Sequence, residues 1–96
     1  MIVLLAVIVV PLLEEILFRG FLLEFLRERS GPMVAIIVSS ALFGLLHGPA
    51  AALPIFGLAC LLASIKLRTG SLYAAWLVHG VHNGLQTLLL SYGIEP

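Results

Sequence analysis

Charge is scarce in this sequence. Asp, Glu, Lys and Arg make up 10% of its 96 residues, against about a quarter in a soluble domain, which leaves too few polar side chains to clothe a water-facing surface. Five Lys and Arg balance five Asp and Glu, for a formal net charge of zero. No surplus of cations remains to neutralise a row of phosphates, which argues against nucleic acid as a partner. Cysteine is nearly absent as well. Cys60 alone can neither close an internal disulfide nor build a thiolate zinc cage, and in the apolar run Gly57-Leu58-Ala59-Cys60-Leu61-Leu62 it reads as packing filler. There are no internal repeats, low-complexity tracts or linkers, so residues 1–96 form one domain. Residues 1–10 lack the basic start and small-residue cleavage pattern of a secretory signal, and belong to a helix that continues past them.

What fills the chain is apolar. Hydrophobic residues account for 61% of it, with a mean hydropathy of +1.19, the composition of a membrane chain. A crossing takes about 20 residues, so this length holds at most about four. The apolar stretches divide as residues 1–30, 32–48, 50–68 and 71–92, giving an all-α transmembrane bundle of about four spans; the second and third are short for a full crossing. Each break carries helix punctuation: Ser30-Gly31-Pro32, Gly48-Pro49 and Gly70-Ser71. Pro11 falls inside the first span and is expected to kink it, because its ring removes a hydrogen bond to the preceding turn.

The cations set an orientation. Arg27 and Arg29 flank the first connection, and Lys66 and Arg68 the third, while the second connection and both termini have none. The positive-inside rule then makes loops 27–30 and 66–69 cytoplasmic and places both termini outside.

Polar residues inside the spans are the informative ones: Glu14, Glu15, Arg19, His47, His79, His82 and Asn83. A charged residue at a helix centre costs roughly 2.5–3.5 kcal/mol on insertion scales and persists only when it is paired or used. Glu15 and Arg19 stand four apart with the acid first, the spacing of a structural ion pair. Glu14 is rotated by about 100° from Glu15 and stays available for chemistry. His79 and Asn83 are also four apart, and His82 reads as a helix–helix hydrogen bonder. At about 1.5 Å per residue from the cation-flanked ends, Glu14, His47, His79 and Asn83 fall roughly 12–22 Å deep, within reach of one layer. Gly44 and Gly48 around His47, and Gly80 and Gly84 around Asn83, provide small faces for close helix approach. An acid, two imidazoles and an amide converging near mid-membrane are the ingredients of a hydrolytic site.

At these residues the sequence resembles the type II CAAX prenyl endopeptidases and their bacterial relatives, the CPBP or Abi intramembrane proteases. The Glu-Glu-x-x-x-Arg motif stands as Glu14-Glu15-Ile16-Leu17-Phe18-Arg19, Phe-x-x-x-His as Phe43-Gly44-Leu45-Leu46-His47, and His-x-x-x-Asn as His79-Gly80-Val81-His82-Asn83. The likeness covers residues 11–85, the family's catalytic core; family members usually carry further spans before it. It implies an intramembrane endopeptidase acting on a CAAX-like or other membrane-associated peptide. Glu14 would be the general base that activates water with His47. His79 and Asn83 would stabilise the oxyanion, and Glu15, Arg19 and Phe43 would support the site. The cofactor question stays open between none and a zinc ion held by Glu14, His47 and His79; there is no His-Glu-x-x-His pattern, and these residues come from three helices. A non-catalytic membrane immunity or binding module on the same fold is the competing function. The expected partners are the lipid bilayer and a membrane-associated peptide or protein.

Overall fold

The structure is a computed structural model that describes residues 1–93. Every regular element among them is helical. Four rods follow one another: α1 over residues 2–30, α2 over residues 32–46, α3 over Ala52–Thr69 and α4 over Leu72–Ser91. The helical run Leu23–Leu46 is divided at Gly31, whose φ of 84° and ψ of 170° reverse the chain just before Pro32. Gly70, at φ 68°, ends α3, and the Ser71 hydroxyl caps α4 by accepting from the Ala74 N–H at 3.1 Å. Residues 27–30 and 66–69 are therefore helical turns, where the sequence reading placed loops. A left-handed glycine makes each reversal in one or two residues.

α1 runs through Pro11 without a break. It widens into a π-helical stretch over Leu5–Val9, and again over Ile16–Leu22. Proline has no N–H to return to the preceding turn, and the carbonyls of that turn face α4. Ala6 O accepts from Asn83 Nδ2 at 3.2 Å and Ile8 O from Trp76 Nε1 at 2.9 Å. Val7 O approaches Gly80 so closely that a Cβ there would come within 2.9 Å of it.

The hairpin α1/α2 packs Phe18 and Leu23 against Phe43 and Ala35, and α3 lies on both through Ala59 and Ala63. Small residues at these contacts let the helix axes close up. At the far end of α1, Glu24 accepts from Arg27 Nη2 at 2.7 Å and from Lys66 Nζ at 2.9 Å, tying α1 to α3. Among the described residues, five polar ones, Glu15, Arg19, Ser39, Ser40 and His79, are buried beside eight apolar ones, while large apolar side chains such as Leu13, Leu17, Phe21, Val81 and Leu85 are exposed. The buried Ser40 hydroxyl has no hydrogen-bond partner among the described residues.

The long axis measures 44 Å, more than the roughly 30 Å of a hydrocarbon layer. Among the described residues only Ala52–Thr69 is long and apolar enough by itself to cross a membrane. α2 is short, and α4 has its apolar average lowered by His79, His82, Asn83 and Gln86.

The four glycines singled out in the sequence serve different ends. Gly44 and Gly80 are true close approaches, Gly84 makes ordinary contact with Val7, and Gly48, at φ 92° with nothing nearby, is a turn residue. At Gly44 a Cβ would sit 2.7 Å from Ala52 O and 3.2 Å from Phe56 N, both backbone atoms. Gly44→Ala should therefore lower the melting temperature in detergent, by the equivalent of about 1–3 kcal/mol for overpacking. Gly57→Ala, inside α3 and facing open space, should raise stability by up to about 1 kcal/mol. Equal melting temperatures for the two variants would contradict the close packing of α2 on α3.

Candidate active site

Glu14 and Glu15 stand at the junction between the α-helical stretch Val10–Glu15 and the π-helical stretch Ile16–Leu22. Their rotation about the helix axis separates them: the Glu15 side chain is fully buried, whereas that of Glu14 is 25% exposed. Glu15 Oε2 accepts from Arg19 Nη1 at 3.2 Å and from His79 Nδ1 at 2.7 Å. The Arg19 guanidinium also donates through Nη2 to Ala59 O at 3.1 Å and lies 4.7 Å over the Phe43 ring. One buried carboxylate oxygen thus gathers α1, α3 and α4. The other, Glu15 Oε1, has no partner among the described residues.

Phe43 fills the centre. Its ring meets Phe18 edge-on at 4.8 Å, His47 at 4.7 Å and His79 at 5.9 Å. The backbone carbonyl of the same residue lies 2.7 Å from His47 Nδ1. A carbonyl only accepts, so His47 Nδ1 carries the hydrogen; paired with the Glu15 carboxylate, His79 Nδ1 carries one too. Both rings consequently turn Nε2 towards Glu14. His47 Nε2 lies 3.6 Å from Oε2 and His79 Nε2 3.5 Å from Oε1. Far-side hydrogen bonds of this kind fix ring orientation and tautomer.

These groups open onto a cavity of about 350 Å³, which Asn83, His82 and Gln86 of α4 also line, with Val10, Ile55 and Leu58 as apolar walls. Asn83 gives one amide hydrogen to Ala6 O and keeps a second donor. A larger groove of about 430 Å³ between α1 and α4, lined by residues such as Val7, Trp76 and Val81, carries no reactive group. The fold thus brings Glu14, His47, His79 and Asn83 to one cavity, with Glu15, Arg19 and Phe43 directly behind them.

Two features were not evident in the sequence reading. Glu15 and Arg19 form the expected pair, but the pair is not separate from the chemistry, because Glu15 orients His79. Pro11 and Trp76 also belong to the assembly through the carbonyls of residues 6 and 8. The signals available were a proline in mid-helix and an indole N–H in an apolar span, each of which demands a partner. A carboxylate and two imidazoles are chemically suited to zinc. Among the described residues, however, no group of three or more His, Cys, Asp or Glu is arranged to hold a metal ion.

Removing one member of the Glu15–Arg19 pair leaves a buried charge uncompensated, a loss of about 3–5 kcal/mol in comparable cases. In a double-mutant cycle on melting in detergent, Glu15→Gln with Arg19→Gln should cost clearly less than the sum of the singles. Additivity would show that the two do not act as a pair.

No curated protein and no solved structure matches the chain. The model of one protein family does, over residues 1–85, a range that takes in α1 to α3 and α4 through its His-x-x-x-Asn segment. The chain belongs to the type II CAAX prenyl endopeptidase Rce1-like family.

Proposed function

We propose that this protein is an intramembrane endopeptidase that hydrolyses a peptide bond in a membrane-associated substrate, of CAAX type or similar, using water activated by Glu14 and His47. Family membership supports a membrane protease in general terms. The observation that carries the finer reading is the convergence of both imidazole Nε2 atoms on the Glu14 carboxylate, at 3.5 and 3.6 Å, in a partly enclosed cavity.

The hydrogen-bond geometry supports the following roles. His79 holds Glu15 through Nδ1–H, so to donate to an oxyanion as well its ring must act in the doubly protonated form, with Nε2–H turned to the cavity. His47, neutral with its hydrogen on Nδ1, offers a bare Nε2 that holds water beside Glu14. Glu14 takes a proton as the water oxygen bonds to the substrate carbonyl carbon. The resulting oxyanion accepts from His79 Nε2–H and from the second Asn83 N–H. When the C–N bond breaks, Glu14 returns its proton to the leaving amine, and the products are a carboxylate and an amine. No metal takes part in this scheme, so a chelator should leave turnover unchanged.

The four rods are four membrane passages in this proposal. The ends of α1 and α3 that bear Arg27, Arg29, Lys66 and Arg68 face the cytoplasm, and both termini lie outside. In a Cys60→Ser background, Ser30→Cys and Thr69→Cys should resist an impermeant thiol reagent in intact cells and label after permeabilisation. Labelling of both from outside would reverse the topology.

Turnover of a reporter peptide in detergent tests the mechanism. Glu14→Gln and His47→Gln should each remove most activity while leaving the melting profile intact, and the double variant should be little worse, as for residues acting as one unit. Asn83→Ala, which removes one oxyanion donor, should lose roughly a hundred- to a thousandfold yet stay measurable. A folded Glu14→Gln variant with wild-type turnover would sink the mechanism and leave the site as a non-catalytic binding module.

A further inference from the structure

The cavity-facing residues of α4 recur at His79, His82, Asn83 and Gln86, the i, i+3, i+4, i+7 stripe of a single helix face. The proposed chemistry employs His79 and Asn83 and leaves the other two idle. His82 is half-buried and lines the cavity, and its buried Nδ1 has no hydrogen-bond partner among the described residues. Its polar neighbours on the same helix do have partners: Trp76 with Ile8 O, His79 with Glu15, Asn83 with Ala6 O and Thr87 with Asn83 O. Buried polar atoms left unpaired are uncommon and costly. Of the facing walls, Ile55 and Leu58 are apolar, and Ala6 O already accepts from Asn83.

An extended peptide supplies what is missing. Its N–H and C=O groups recur at about 3.3 Å per residue. His82 lies about 4.5 Å along the helix from His79, and Gln86 about 10 Å, so the stripe spans one to three peptide residues from a carbonyl seated at His79. From this we propose that His82, with Gln86 beyond it, is a substrate-positioning subsite that hydrogen-bonds the peptide main chain next to the bond to be cleaved. The proposal deepens the protease reading and rests on it. Main-chain recognition of this kind orders the substrate without selecting its side chains, and fixes the scissile carbonyl relative to Glu14.

The test measures binding of a fluorescent substrate peptide to detergent-solubilised Glu14→Gln protein, where no turnover interferes. His82→Phe keeps a ring of similar size without its nitrogens, and should weaken binding about three- to tenfold, the usual range for one hydrogen bond. His82→Asn restores a polar group and should recover most of that loss. Peptides carrying a single N-methylated or ester-substituted bond are then scanned through the three residues on each side of the cleavage point. One position should lose the same factor against His82 and lose nothing against His82→Phe. In the Glu14 background, His82→Phe should raise KM by that factor and change kcat little, whereas a merely structural role would lower the melting temperature and kcat together. Absence of coupling at every scanned position overturns the subsite while leaving the protease reading intact. Coupled binding without any turnover by the Glu14 protein sinks the protease reading and leaves a peptide-binding cleft.

Discussion

A single carboxylate oxygen holds this small bundle in register. Glu15 Oε2 bonds Arg19 from its own helix and His79 from the last one, while Arg19 reaches on to the Ala59 carbonyl of the third. In a bilayer, helices gain little from burying apolar surface against one another, because lipid tails are as apolar as leucine. A polar knot that cannot be satisfied by lipid consequently specifies how the helices are rotated. The hydrophobic contacts of Phe18, Phe43 and Ala59 fill in around it. Polar side chains are thus buried at the centre of the bundle among its apolar contacts, and the supporting carboxylate Glu15 stands next in sequence to Glu14, which faces the cavity.

Phe43 illustrates the same economy. Its side chain accepts the guanidinium on its face, and its main-chain carbonyl sets the tautomer of His47 one turn later. The aromatic residue four positions before a histidine is thus a geometric device: i to i+4 spacing brings a ring nitrogen to a carbonyl whose helical hydrogen bonding is ending. α2 stops there, with His47 out of helical geometry and Gly48 turning the chain.

Much of this was legible in the residues themselves. Glycine with proline at 31–32 and glycine with serine at 70–71 marked the reversals, and spacing by four paired Glu15 with Arg19. The separation of Glu14 from Glu15 followed from helix rotation alone. What spacing along one helix cannot reveal is how a neighbouring helix is turned. The hydrogen bond from His79 to Glu15 therefore escaped, and so did the difference between Gly44, pressed on backbone, and Gly48, which only turns. The π-helical stretches escaped for another reason. A widened turn leaves no mark in apolar periodicity, and its effect is confined to which carbonyls are released. Chain passages were harder to judge than helices, because the site residues on α4 dilute the apolar signal that a span is recognised by.

The carbonyls released around Pro11 have a consequence for mutational tolerance. Asn83 and Trp76 are anchored on main-chain oxygens of residues 6 and 8, and every amino acid carries such an oxygen. The anchor points for that amide and the indole therefore do not depend on which side chains residues 6 and 8 carry. The constraint falls instead on backbone shape. It concentrates at one buried ring, the proline that withholds an N–H, so that an apolar segment with almost no sequence information of its own still bears on where a polar side chain three helices later lies.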